Sequence, residues 1–223
     1  MEVSASVETV SLRDKRQSVG EEVANAVSHG IGLALSLAAL PVLAIVSARE
    51  GDWIDVAAAS VFAITMVLLY LTSTIYHAVP DPRTKRILRV LDHSAIYVLI
   101  AGTYSPFAVG VLRGPVGWWL LAIIWALAIA GVIKKAFIGA RFPRLSSALY
   151  LAMGWLIVGV MQPLWVAMDA WGLFWLFAGG IAYSVGVVFH AKDHLPFRHL
   201  IFHLFVLTGT GCHFIAVLLY ARG

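Results

Sequence analysis

Residues 199–220 read HLIFHLFVLTGTGCHFIAVLLY, and this stretch decides the class of the chain. From Leu200 to Tyr220 it holds no Asp, Glu, Lys or Arg, and an apolar run of about 17–25 residues is what crosses a bilayer as a helix. At its head stand His199 and His203, four residues apart and therefore stacked on one helix face. That spacing lets both imidazoles reach a single metal ion, as in zinc-binding H-x-x-x-H helices. Leu200, Ile201 and Phe202 lie between them. With no glutamate inside the motif, a third ligand and a general base must come from other helices.

The rest of the chain has the same character. Of its 223 residues 61% are hydrophobic and 13% are charged, about half the charged fraction of a soluble domain; mean hydropathy is +0.87. These values predict an all-α integral membrane protein made of one helical bundle. The net charge of +4 does not mark a nucleic-acid binder, because the basic residues gather in alternate loops, as topology signals do. The single cysteine, Cys212, lies in an apolar run, so neither an internal disulfide nor a cysteine-based metal site is expected. The polar opening, including Arg13, Asp14, Lys15 and Arg16, has no apolar region of a cleaved signal peptide. It reads as a cytosolic segment, residues 1–22, ahead of a transmembrane domain, residues 23–223.

Seven apolar runs are expected to cross the cell membrane, near 24–48, 54–77, 91–111, 118–134, 147–168, 173–190 and 200–220. The turns between them carry Gly51, Pro80, Pro82, Gly114, Pro115, Pro143, Gly172 and Pro196. One side of this arrangement collects Arg13, Lys15, Arg16, Arg83, Lys85, Arg86, Arg89, Lys134, Lys135, Arg141, Arg144, Lys192 and Arg198. Of the 16 basic residues, only Arg49, Arg113 and Arg222 fall on the other. The positive-inside rule then puts the N-terminus in the cytosol and the C-terminus outside. Trp53, Trp118, Trp119, Trp171 and Trp175 fall near the outer ends, where an interfacial aromatic belt belongs.

Ionisable residues inside membrane segments usually mark function. His77 closes the second predicted helix on the cytosolic side, Asp92 and His93 open the third, and His199 and His203 open the last, so all share one layer. Ser73 lies one turn before His77 on the same face. Three neutral histidines and a water form an open catalytic zinc site, in which zinc would bring the water's pKa toward about 7 and Asp92 could take the proton. Each residue also has a plainer reading. Asp92 suits a helix N-cap, Ser73 can bond its own backbone, and a histidine near a helix end can be interfacial. His213 lies ten residues beyond His203, about 15 Å along the axis, and cannot share the ion. His29 is a reserve ligand that fits a helix contact beside Gly30 and Gly32 better. His190 and His194 read as solvated or interfacial.

The segments Ser73-Thr74-Ile75-Tyr76-His77, Leu91-Asp92-His93-Ser94-Ala95-Ile96-Tyr97 and His199-Leu200-Ile201-Phe202-His203, in that order, resemble the hemolysin III family. Asn25-Ala26-Val27-Ser28-His29-Gly30-Ile31-Gly32 is similar to its first helix. The family belongs with the progestin and adipoQ receptors, including the adiponectin receptors, and more distantly resembles the alkaline ceramidases. The resemblance implies seven helices, zinc held by His77, His199 and His203 toward the cytosol, Asp92 against the water on the zinc, and Ser73 as a small polar partner.

The expected function is a zinc-dependent membrane hydrolase of a lipid amide or ester, with the substrate entering from the inner leaflet. A pore-forming hemolysin is the second reading, although strongly apolar helices give a water-filled channel little to work with. A receptor with a structural zinc is the third, with His29 as the fourth ligand. A transporter finds no support in an inverted repeat.

Overall fold

The computed structural model describes residues 17–139, 141–192 and 194–222. Arg13, Lys15 and Arg16, on which the charge asymmetry partly rests, lie outside them. The described residues form helices and no strands: α1 (Val19–Glu50), α2 (Trp53–Ala78), α3 (Pro82–Val109), α4 (Pro115–Ile138), α5 (Pro143–Gly154), α6 (Met161–Ala167), α7 (Ala170–His190) and α8 (Arg198–Tyr220), with a 3₁₀ segment (Trp155–Val160) joining α5 to α6. Six spans are long and apolar enough to cross a membrane: α1, α2, α4, the α5–α6 unit, α7 and α8. The bundle surface is itself apolar, with Phe137 87% and Val166 83% exposed, a surface that suits lipid and not water.

Start signals set the helix ends. Ser18 and Glu21 form a capping box on α1, Asp52 and Asp55 another on α2, each satisfying backbone N–H groups that a first turn leaves free. Asp81 caps α3 through the N–H of Thr84, with Pro82 in the first turn. The third helix therefore begins nine residues before the apolar run that starts near 91. Asp92 sits inside it and is not its cap. Hydropathy sees only the apolar part of a helix, whereas the cap and the proline set its true start. The fifth predicted run, 147–168, is helical but broken by the 3₁₀ segment. Gly154 and Gly159 favour a helix weakly, and Pro163 has no N–H to give and crowds the carbonyl four residues back.

α3 runs through the middle. Every residue from Ala101 to Val109 is buried, and α3 contacts α2, α4, α5 and α8. Because protein and not lipid surrounds it, it can carry Thr103, Tyr104 and Ser105. α1 packs on α2 and α8, and α7 on α8. The buried face of α1 is Asn25, Ser28, His29, Gly32, Ser36, Leu43 and Ser47, so this helix turns its small and polar residues inward. On α7, Gly172, Gly179 and Gly186 recur every seven residues against α8. A Cβ at Gly172 would lie 2.7 Å from the Cβ of Tyr220, and one at Gly186 2.9 Å from that of Phe205. Small residues at this spacing let large side chains of the partner helix approach the backbone, the usual means of helix contact in membranes.

At one end of the bundle Arg113, in the turn after α3, clasps the start of α2. Its Nη1 donates to Asp52 Oδ2 at 2.7 Å and its Nη2 to Asp55 Oδ1 at 3.0 Å. The hydrogen bonds from Arg113 lead the causes that hold the Asp52 carboxyl down, at about 2 from an ordinary 3.8. A depressed carboxylate stabilises the fold fully above its unfolded value, about pH 4, and loses that contribution as pH falls through about 2. Arg113→Gln is expected to lower the Tm of the detergent-solubilised chain by a few degrees at pH 7. The gap from wild type should narrow as pH drops from 4 to 2, as differential scanning fluorimetry would show.

Candidate metal centre

At the opposite end of the bundle from Arg113, the last turn of α2 and the first turns of α8 bring three imidazoles together. His77, His199 and His203 each offer a ring nitrogen within 4.8 Å of the other two, so the group could hold a metal ion. The ring centroids of His199 and His203 are 4.5 Å apart, and that of His77 lies 4.9 and 5.0 Å from them. His77 and His203 are 3% and 1% exposed, and His199 is half-buried.

The free nitrogens follow from the partners. Nδ1 of His77 lies 2.7 Å from Glu22 Oε2. A carboxylate accepts, so Nδ1 carries the proton and Nε2 keeps its lone pair. That Nε2 is buried and has no protein partner. Ser28 gives its single proton to the carbonyl of Asn25 (2.9 Å), so its oxygen accepts from Nδ1 of His203 (3.2 Å). Nε2 of His203 is thereby also left to ligate. Histidines whose second nitrogen is fixed by a carboxylate or hydroxyl are oriented as metal ligands are. A buried lone pair with no donor, beside two further imidazoles, fits a cation such as Zn²⁺.

α1 supplies these braces, and sequence reading missed them. Glu22 does more than hold His77, because its other oxygen lies 2.7 Å from Lys85 Nζ of α3. Its neighbour Glu21 accepts from the backbone N–H of Phe197 at 3.0 Å, just before α8, where Phe197 has a positive φ of 52°. The signal was present in the sequence: Glu22, Asn25, Ser28 and His29, spaced by three or four, make a polar stripe along an otherwise apolar helix.

Ser73 and Asp92 also face this end. Both are buried, and their side chains are hydrogen-bonded. Ser73 Oγ in turn lies 2.7 Å from Nδ1 of His29. His29 stacks on His203 with centroids 3.4 Å apart and planes within 8°. It is thus a neighbour of the three-histidine group and not a member of it. Gly32 presses close to the ring of Tyr70, the helix contact expected on this face.

A cavity of ≈ 160 Å³ runs from this cluster into the bundle. Ser73, Asp92, His93, His199 and His203 line one end of it, and His213 the other. His190 lines it as well, half-buried, with its ring 5.1 Å from that of His199. It is therefore not merely solvated, whereas His194 is exposed. Glu22→Ala is expected to weaken zinc retention by about 10–100-fold while leaving helix content unchanged. Metal analysis after dialysis against graded chelator, with circular dichroism alongside, checks both.

Comparison with known proteins assigns the chain to a family. The chain is 50% identical to "Hemolysin-3" of Bacillus cereus over 212 residues, 95% of this chain and 97% of that one. It is 28% identical to the human "Monocyte to macrophage differentiation factor" over 209 residues, 90% of this chain and 84% of the relative. It is 30% identical to the rice "Heptahelical transmembrane protein ADIPOR2" over 150 residues, 57% of this chain and 65% of the relative. The family described as "Haemolysin-III related" matches residues 17–214, a span that takes in every histidine of the cluster. The protein is a multi-pass integral membrane member of the haemolysin-III-related family.

Proposed function

We propose that this chain is a zinc-dependent hydrolase of a lipid amide or ester, with its site in the inner leaflet. It crosses the membrane seven times, N-terminus in the cytosol and C-terminus outside, with α3 as the span beyond the six apolar ones. The charge asymmetry of the loops supports that orientation, and a relative whose printed name is "heptahelical" supports the number. The observation that carries the chemical reading is the convergence of His77, His199 and His203, of which His199 and His203 line a cavity that also meets Ser73 and Asp92.

His77, His199 and His203 would hold the zinc, which when bound supplies a Lewis acid for the carbonyl oxygen and acidifies water. Glu22 and Ser28 keep the ligating nitrogens deprotonated and aimed. The Asp92 carboxylate takes the proton of the attacking water and returns it to the departing amine or alkoxide. Ser73, between Asp92 and His29, holds that carboxylate in place. The apolar length of the cavity takes the acyl chain and keeps bulk water from the carbonyl.

His203→Ala is expected to abolish both bound zinc and hydrolysis of a fluorescent ceramide or N-acyl amide in detergent micelles. Asp92→Asn should retain the metal while turnover falls about 10²–10⁴-fold. Turnover that survives loss of the metal would refute the mechanism. The printed name of the Bacillus cereus relative, "Hemolysin-3", favours a cytolytic role as the second reading. Dye leakage from liposomes that persists at wild-type rate in the His77→Ala and His203→Ala chains would support it instead.

A further inference from the structure

The far end of the cavity is built as carefully as the near one, and the hydrolytic reading leaves it unused. There the ≈ 160 Å³ cavity adjoins a smaller one of ≈ 40 Å³, and the two share Thr103, Tyr104, Trp155 and His213. His213 follows His203 by ten residues on α8, about 15 Å along the axis. Its ring packs against the bare backbone of Gly179, where a Cβ would collide with it, and the ring of Tyr183 packs against Gly209 in the same way. The glycines of the α7–α8 contact thus seat two polar rings side by side, centroids 5.4 Å apart.

The donors at this end are spent on the protein. Nε2 of His213 lies 3.0 Å from the carbonyl oxygen of Leu176; a carbonyl only accepts, so Nε2 carries the proton. Nδ1 of the neutral ring is then an acceptor, and it is buried without a partner in a residue only 7% exposed. Thr210 gives its proton to the carbonyl of Val206, so Tyr183 donates its own to Thr210 at 2.8 Å and has only oxygen lone pairs left. Tyr104 shares its one proton between the carbonyls of Met153 and Gly154 and accepts from the N–H of Ile157; Trp155 Nε1 donates to Ser184, Ser184 to the carbonyl of Gly180, and Thr103 to that of Leu99. What remains for a ligand is a set of acceptors inside an apolar enclosure. An acceptor left dry and unpaired is costly, so this end favours a group that brings a proton to it.

We infer that His213, flanked by Tyr183, is a recognition point for a hydrogen-bond donor, a hydroxyl above all, carried on the acyl chain about twelve carbons from the polar group at the histidine cluster. The site discriminates by proton and not merely by polarity: an ether or carbonyl in the same place meets only lone pairs. This rests on the reading of the cavity as an acyl-chain site and is independent of the metal.

Dodecanoic acid, ω-hydroxydodecanoic acid and ω-methoxydodecanoic acid, competed against labelled dodecanoate on the full chain in nanodiscs, test it. The hydroxy acid is expected to bind about tenfold more tightly than dodecanoic acid, and the methoxy acid no more tightly than dodecanoic acid. In His213→Phe the advantage of the hydroxy acid over dodecanoic acid, compared within that variant, should disappear. Equal affinities of wild type for the hydroxy and methoxy acids, or an undiminished hydroxyl advantage in His213→Phe, would overturn the inference and leave the acyl-chain reading standing. Failure of all three acids to bind wild type would remove the acyl-chain reading and this inference with it. The hydroxy–methoxy comparison in wild type decides the matter even if the variant does not fold.

Discussion

One carboxylate holds the ligand end of this bundle together. Glu22, in the first turn of α1, is gripped by His77 of α2 on one oxygen and by Lys85 of α3 on the other, while Glu21 beside it ties α1 to the residue that precedes α8. Two charged side chains and an imidazole at the edge of an apolar medium would be costly if left apart. Paired, they fix three helices at the depth where the imidazoles meet. A buried pair is seldom a net source of stability, so what Glu22 contributes is above all geometry: one ring orientation and one tautomer at His77.

The same economy of protons runs along the interior. Each buried hydroxyl has a single hydrogen, and following where it goes assigns its neighbours. Ser28 spends its proton on its own helix and thereby accepts from His203. Thr210 does likewise and thereby accepts from Tyr70 and Tyr183. At one end of the cavity this leaves imidazole lone pairs converging on a point that suits a cation. At the other it leaves lone pairs that suit a proton donor. The two ends use the same residue types, and the difference lies in how many nitrogens converge.

Much of this was legible from the residues. The apolar runs marked the helices, because lipid imposes a length and a composition that few other sequences share. His77, His199 and His203 were legible because a titratable side chain in such a run is costly and so rarely accidental. The start of α3 was not, since a cap and a proline carry no hydropathy signal, and neither was the break at Trp155–Val160, where several weak preferences add up. Glu22 escaped notice because it sits among the polar residues before the first apolar run, where a charge needs no explanation. Its role exists only once α1 lies against α2, a fact about packing that one chain read in order does not contain.

The enclosure of α3 bears on how the chain is made. A helix carrying Arg83, Lys85, Arg86, Arg89 and Asp92 ahead of a modestly apolar second half has little reason to leave the translocon for lipid unaccompanied. Its stretch from Ala101 to Val109 meets only protein once the bundle has closed. As the seventh span proposed above, α3 would enter the bilayer together with α2 and α4, the neighbours directly before and after it in synthesis, so that a group of helices and not a single span would be the unit of insertion.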